Sequence, residues 1–394
     1  MTQPQTTGKA VTLIAAGTIV IPERPVGPGW VAVRGDRIHA VGSGRPSRRP
    51  DVDLGSAIIV PGFVDMHVHG GGGASYSASS PAEIARAAAF HRSHGTTTSV
   101  ASLVTDRPAQ LRNSVGLLVE LVADGIFAGI HLEGPWLNRA HAGAHDPTLL
   151  RAPDLDGVDA LLLAGRGAIR MVTIAPELDG GLTAVHRIVD AGVVAAVGHT
   201  GASHECTRAA VAAGATVATH LFNAMRPFHH RAPGPALALL DDPRVTLELI
   251  GDGNHLHRGL LHRVIAVAGP TRIAAVTDAT AAAGAPDGVY PLGPIEICVA
   301  GGLATRREDG GIAGSTATMD EVFRRIADVS GLPAPEALRA AVETTATTPA
   351  RALGLTDVGA LRPDYRADIV VLDAAHRLLA VMSRGRWAVQ PATV

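Results

Sequence analysis

Lysine is almost missing from this 394-residue chain: Lys9 stands alone, and every other cationic side chain is an arginine. Schiff-base chemistry and a lysine-carbamate bridge between metal ions both need an amine inside the site, and Lys9 lies in the N-terminal tail, so both are excluded. A bridging ligand must therefore be a carboxylate. Cysteine is nearly as scarce, since Cys206 and Cys298 cannot make a disulfide framework; a reducing, cytoplasmic setting follows, with each thiol expected as a small buried apolar residue. An excess of either charge is also missing. The formal net charge of -2 leaves no broad basic surface, which argues against nucleic acid as a partner and makes any anion recognition local. No apolar run is long enough to span a membrane. The stretch VTLIAAGTIVI after Lys9 has no small-residue cleavage site and runs on into the turn-rich PERPVGPG, so it reads as a first strand.

What remains is a folded globular composition, 46% hydrophobic and 18% charged, with length for a large domain and a smaller one. Residues 1–58 read as short strands broken by glycine and proline. From 59 the texture changes to apolar runs alternating with alanine-rich helical stretches, the runs covering 58–69, 96–104, 127–135, 169–177, 193–200, 216–223, 245–253 and 273–280. Eightfold alternation of this kind predicts a (β/α)8 TIM-like barrel. The segment 361–394 returns to strand texture (RADIVVLD, then LLAVMSRGRWAV), so the chain ends, 1–58 and 361–394, are expected to build one discontinuous β-sandwich domain around a barrel at 59–360.

Within that frame six metal-ligand types fall at strand ends. His67 and His69 close the first run (FVDMHVH), and the strand period of two puts both imidazoles on one face. Glu133 (GIHLEGP), His199 (AAVGHT), His220 (VATHLFNAM) and Asp278 (AAVTDAT) end four later runs. Barrel enzymes carry their chemistry at the C-terminal strand ends, where these residues would converge. Imidazole and carboxylate suit zinc, iron or a similar divalent ion, which acidifies bound water. Glu133, His199 and His220 can hold one ion, and His67 and His69 with a shared Glu133 can hold a second. Asp278, in an apolar context, is placed as the general base or as a weak ligand. His131 shares a strand face with Glu133 and reads either as a ligand or as a hydrogen-bond partner behind the ligands.

PGFVDMHVHG, HLEGPWL, VGHT, THLFNAM, GDGNH and VTDAT, in this order, resemble the amidohydrolase superfamily and within it the N-acetylglucosamine-6-phosphate deacetylases, over nearly the whole chain. The resemblance implies hydrolysis of the acetamide of N-acetyl-D-glucosamine 6-phosphate to D-glucosamine 6-phosphate and acetate. It implies metal on Glu133, His199 and His220, with a second ion made possible by the His67/His69 pair, and acid/base work by Asp278. It implies that His145 (AGAHDP) contacts substrate and polarises the amide carbonyl. It implies a phosphate held by Arg231, His255 and the amide and backbone of Asn223 and Ala224, with Arg258 and Ala313 as further candidate contacts. A homodimer acting on a small amino-sugar phosphate is the implied assembly.

Two other readings stand beside this one. Another amidohydrolase reaction, on a cyclic amide or a nucleobase, is opposed by the missing lysine and by HLEGP. A catalytically dead barrel kept as a binding subunit is opposed by the intact ligand set.

Overall fold

The computed structural model describes residues 10–391. Its centre is a sheet of eight consecutive parallel strands, β1 (Phe63–Val68), β2 (Thr96–Val104), β3 (Gly129–Glu133), β4 (Ile169–Ile174), β5 (Val194–Val197), β6 (Val217–Ala218), β7 (Thr246–Ile250) and β8 (Ile273–Val276), with helices between them. Outward-facing residues such as Ile130 and Leu132 of β3, or Leu247 and Leu249 of β7, join the large apolar core under the helices. A second cluster, including Met171, Ala196, Val217 and Val276, runs on into Ala350, Leu353 and Val358. Every residue of β1 and β3 is buried, as expected for parallel strands covered on both faces.

The barrel is nearly closed. No regular ladder joins β8 to β1 among the described residues; the seam is held by polar contacts. The Asp278 N–H donates to His67 O at 2.9 Å, the His69 N–H to Ala279 O at 2.8 Å, and the Thr277 hydroxyl to Asp65 Oδ2 at 2.6 Å. Burial pushes the Asp65 carboxyl up to about 7, with the Thr277 hydroxyl opposing it. The strands that carry His67 and Asp278 are thus pinned together at the level of those residues.

Both ends of the chain contribute to a separate pair of sheets. One has four strands, and the other has six, ordered Arg386–Val389, Leu378–Ser383, Ile369–Leu372, Ile58–Pro61, Thr18–Val20, Pro25–Val26. Their shared core includes Ile14, Ile19, Val31, Ile59, Leu361, Ile369 and Met382. Residues 58–69, expected as one barrel strand, are in fact two. Ile58–Pro61 pairs with Thr18–Val20 and Ile369–Leu372, and the barrel strand starts at Phe63. Pro61 has no N–H to continue a ladder, and at Gly62 a Cβ would lie 2.1 Å from the Thr97 hydroxyl, so the chain bends there.

Two further features differ from expectation. Residues 288–306, after the last barrel strand, form a three-stranded antiparallel sheet whose Leu292 and Ile297 pack with Val104 and Ala313. Cys206 and Cys298 are free thiols as expected, but half-buried, because each sits on an element with one solvent-facing side.

The small sheets and the barrel wall meet near Phe63, which stacks on Phe323 of the helix Met319–Val329 with ring centroids 5.3 Å apart. Both rings are fully buried. Phe323→Ala should cost about 3–5 kcal/mol of unfolding free energy, read as a lowered denaturation midpoint; an unchanged midpoint would show that the cavity collapses without loss.

Candidate active site

Glu133, at the end of β3, sits at the middle of a ring of imidazoles. Its Oε1 lies 2.9 Å from His199 Nε2, 3.0 Å from His220 Nε2 and 3.5 Å from His67 Nε2. Its Oε2 lies 3.3 Å from both His69 Nε2 and His145 Nε2. Asp278 Oδ1 is 3.2 Å from His69 Nε2 and 3.5 Å from His67 Nε2. All six strand-end residues therefore meet, each 7% exposed or less.

The positions of the ring protons decide what this arrangement can hold. His199 Nδ1 is 2.9 Å from the His141 carbonyl and His67 Nδ1 is 3.0 Å from Glu248 Oε2, so each donates from Nδ1 and turns an Nε2 lone pair inward. The lone pairs of His67 and His199 then face the Glu133 carboxylate. The Nε2 atoms of His199 and His220 are 3.0 Å apart, and those of His67 and His69 are 3.1 Å apart. Two nitrogens bound to one zinc at about 2.0–2.1 Å come roughly this close. At His67 and His199 an acceptor meets an acceptor, so this donor set fits a divalent metal ion. Ligand atoms of His67, His69 and Glu133 all lie within 4.8 Å of one another, as do those of Glu133, His145 and His199.

His145 has the opposite polarity. Its Nδ1 accepts the Thr105 N–H at 3.2 Å, which leaves the proton on Nε2 and makes that atom a donor facing the cavity. His131 is a satisfied interior residue, 2.9 Å from the Ser102 hydroxyl and 2.8 Å from that of Thr173, and burial holds it well below its ordinary value and neutral.

The electrostatics are those of a cation site. Burial disfavours charge on His67 and His69, yet the carboxylates around them, Glu133 and Asp278 on both and Glu248 on His67, raise both imidazoles above their ordinary values. Burial pushes Asp278 up, but His67 and His69 outweigh it and hold the carboxyl at about 2. Glu133 is held well below the usual range in the same way. The backbone is strained where these side chains leave their strands: His199, His220, Ala224 and Asp278 have φ of +48°, +26°, +50° and +50°. Non-glycine residues in the left-handed region cost on the order of 1–3 kcal/mol each and cluster at functional sites.

A cavity opens above the ring. His145, Asn223, Ala224 and His255 line it with the ligand-type residues, and Leu292 reaches it from the 288–306 sheet. His255 Nδ1 pairs with Asp252 Oδ2 at 2.9 Å; burial opposes its charge, and Asp252 still raises the imidazole above its ordinary value. Three other expected contacts do not line the cavity. Arg231 is exposed on a loop, 2.7 Å from His230 Nε2. Arg258 is exposed, bonded to the Asp328 carbonyl. Ala313 is fully buried in the neighbouring apolar cluster, between Ile312 and Gly314, which do line it. The sequence reading overlooked Glu248, Asp252, Thr105 and Asp65. Glu248 carries a visible signal, a lone charge within the apolar strand TLELI; the others are recognisable only once partners are in place.

Fold and site together define a metal-dependent hydrolase built on a (β/α)8 barrel. Comparison with known proteins agrees: the profile of the Amidohydrolase family matches residues 58–389, and the chain belongs to that family. Over 97% of its length it superposes, with a TM-score of 0.95 and 50% identity, on all of a mutant N-acetyl-D-glucosamine-6-phosphate deacetylase from Mycobacterium smegmatis solved in complex with N-acetyl-D-glucosamine-6-phosphate. It is 37% identical to the N-acetylglucosamine-6-phosphate deacetylase of Danio rerio, over 82% of each chain. It is 33% identical to the N-acetylgalactosamine-6-phosphate deacetylase of Escherichia coli O157:H7, over 84% of this chain and 88% of that one.

Because Glu133 touches every imidazole of the ring, Glu133→Ala should abolish stoichiometric metal binding. Elemental analysis after dialysis checks this, and full metal content in the variant would move the ligand role elsewhere.

Proposed function

We propose that this protein hydrolyses the acetamide of N-acetyl-D-glucosamine 6-phosphate to D-glucosamine 6-phosphate and acetate. The observation that carries the reading is the convergence of Glu133, His199, His220 and Asp278 beside a cavity where His145 offers an N–H. It is supported by likeness across nearly the whole chain to the mycobacterial deacetylase, whose complex holds that sugar phosphate.

Glu133, His199 and His220 would hold one divalent ion, and His67 and His69 with Glu133 a second. A cation there would supply positive charge that lowers the pKa of bound water to about 7 and polarises a carbonyl. Asp278, beside His69 at the edge of the ring, takes the proton of the attacking water and delivers it to the nitrogen as the C–N bond breaks. The second water proton follows to the nitrogen, so acetate and the ammonium form of the amine leave and the carboxylate ends as it began. His145 donates its Nε2–H to the amide oxygen, which gathers negative charge as the carbonyl becomes tetrahedral. The Thr105 N–H holds the ring in that orientation.

The phosphate is the second recognition element. His255, held toward its cationic form by Asp252, lines the cavity with Asn223 and Ala224, the latter in the left-handed region. Arg231 stands on the exposed loop 227–232 outside the cavity lining and would have to swing inward to reach the phosphate; no carboxylate within salt-bridge reach competes for its guanidinium among the described residues. Zinc or iron is the expected metal, the homodimer the expected assembly with Arg258 as a candidate to reach the neighbouring subunit, and the cytoplasm the expected compartment. No described helix is long and apolar enough to cross a membrane.

Purified protein should release acetate from N-acetylglucosamine 6-phosphate. The 4-epimeric galactosamine substrate belongs in the same assay, because one relative is named for it. Turnover of a cyclic amide with no acetate released would overturn the reading. Asp278→Asn should keep its metal and lose at least about a hundredfold in turnover; near-normal turnover would remove Asp278 from the chemistry. Arg231→Ala should mainly raise KM for the phosphorylated sugar and shrink its advantage over the unphosphorylated one. An unchanged preference would place the phosphate elsewhere.

A further inference from the structure

Glu248 lies in the middle of β7, fully buried, between Leu247 and Leu249, which face the helix shell. Its side chain points the other way, across the barrel interior. Oε2 accepts the His67 Nδ1–H at 3.0 Å and the backbone N–H of His220 at 3.1 Å. One oxygen thereby touches a ligand from β1 and the strand end that carries a ligand of the other half of the site. Oε1 has no partner among the described residues, and His67 is the only side chain there within ion-pair reach of the carboxylate. A carboxylate buried this deeply, without arginine or lysine, costs several kcal/mol unless nearby positive charge offsets it.

Its contact with an imidazole ring falls in only one half of the cradle. The His67 ring is the sole imidazole Glu248 bonds, while the His199 ring is held by the His141 carbonyl. We propose that Glu248 is the positioning residue of the second cation site: it fixes the His67 tautomer with the lone pair on Nε2, and its charge makes the His67–His69 half able to hold an ion beside the one on Glu133, His199 and His220. This deepens the metal reading given above. Carboxylates placed behind a metal-bound histidine change metal affinity about 10–100-fold.

The test is Zn²⁺ binding by the full-length protein after chelator stripping, with stoichiometry and stepwise affinity from competition against a chromophoric chelator. Wild type should bind two ions per chain. Glu248→Gln keeps an oxygen that can accept both N–H groups and removes only the charge; it should bind the first ion within about threefold of wild type and the second about tenfold more weakly. Glu248→Leu removes the acceptor as well and should lose the second ion about a hundredfold or more. Thermal unfolding of the stripped proteins checks the fold; if the leucine variant does not fold, the near-isosteric glutamine variant decides alone. An unchanged second affinity in Glu248→Gln, equal weakening of both ions, or a single ion in wild type would each overturn the proposal. Metal binding is read without substrate, so a graded loss of the second ion stands even if the acetate assay fails, and deacetylation with both ions unaffected would sink this inference alone.

Discussion

One carboxylate organises the site. Glu133 offers two oxygens to five imidazole nitrogens, all within 3.5 Å, at the floor of the cavity. Such a cluster cannot be held by hydrophobic packing, which favours its replacement by apolar side chains. It persists because the barrel surrounds it with strands pinned to one another and because the lone pairs facing Glu133 call for a cation. The left-handed backbone at His199, His220 and Asp278 is the local cost of turning these groups inward at the strand ends.

The same ring divides into groups with different proton logic. His67 and His199 have their Nδ1 protons taken by Glu248 and the His141 carbonyl, so each presents a lone pair. His145 has its Nδ1 lone pair taken by the Thr105 N–H and presents a proton. Chemically similar side chains, a few ångströms apart, are sorted into ligand and donor by what stands behind them. Asp278 completes the set as a carboxylate beside His67 and His69 in the cavity lining.

Much of this could be read from the chain. The alternation of apolar runs and helical stretches carried the barrel, because each parallel strand is buried on both faces and stands out as an apolar block. Ligand-type residues at the ends of those blocks stood out for the same reason. Pairing between the chain ends was visible as matching strand texture. The break at Pro61–Gly62 was hidden, since an unbroken apolar run does not show which sheet each half joins. The 288–306 sheet was hidden too, because short antiparallel strands next to a barrel leave a weak periodic signal.

By itself the amino-acid sequence determined the architecture, the ligand-type residues at the strand ends and the chemical family, since all three depend on residue type and spacing along single strands. Tertiary structure decided which ring nitrogen carries each proton, that Glu248 stands behind His67 from 181 positions away, and that His255 is paired while Arg231 is left on an exposed loop. The reason is physical: a tautomer or an ion pair belongs to two groups at once, and their distance in space is a property of the closed barrel, not of either strand alone.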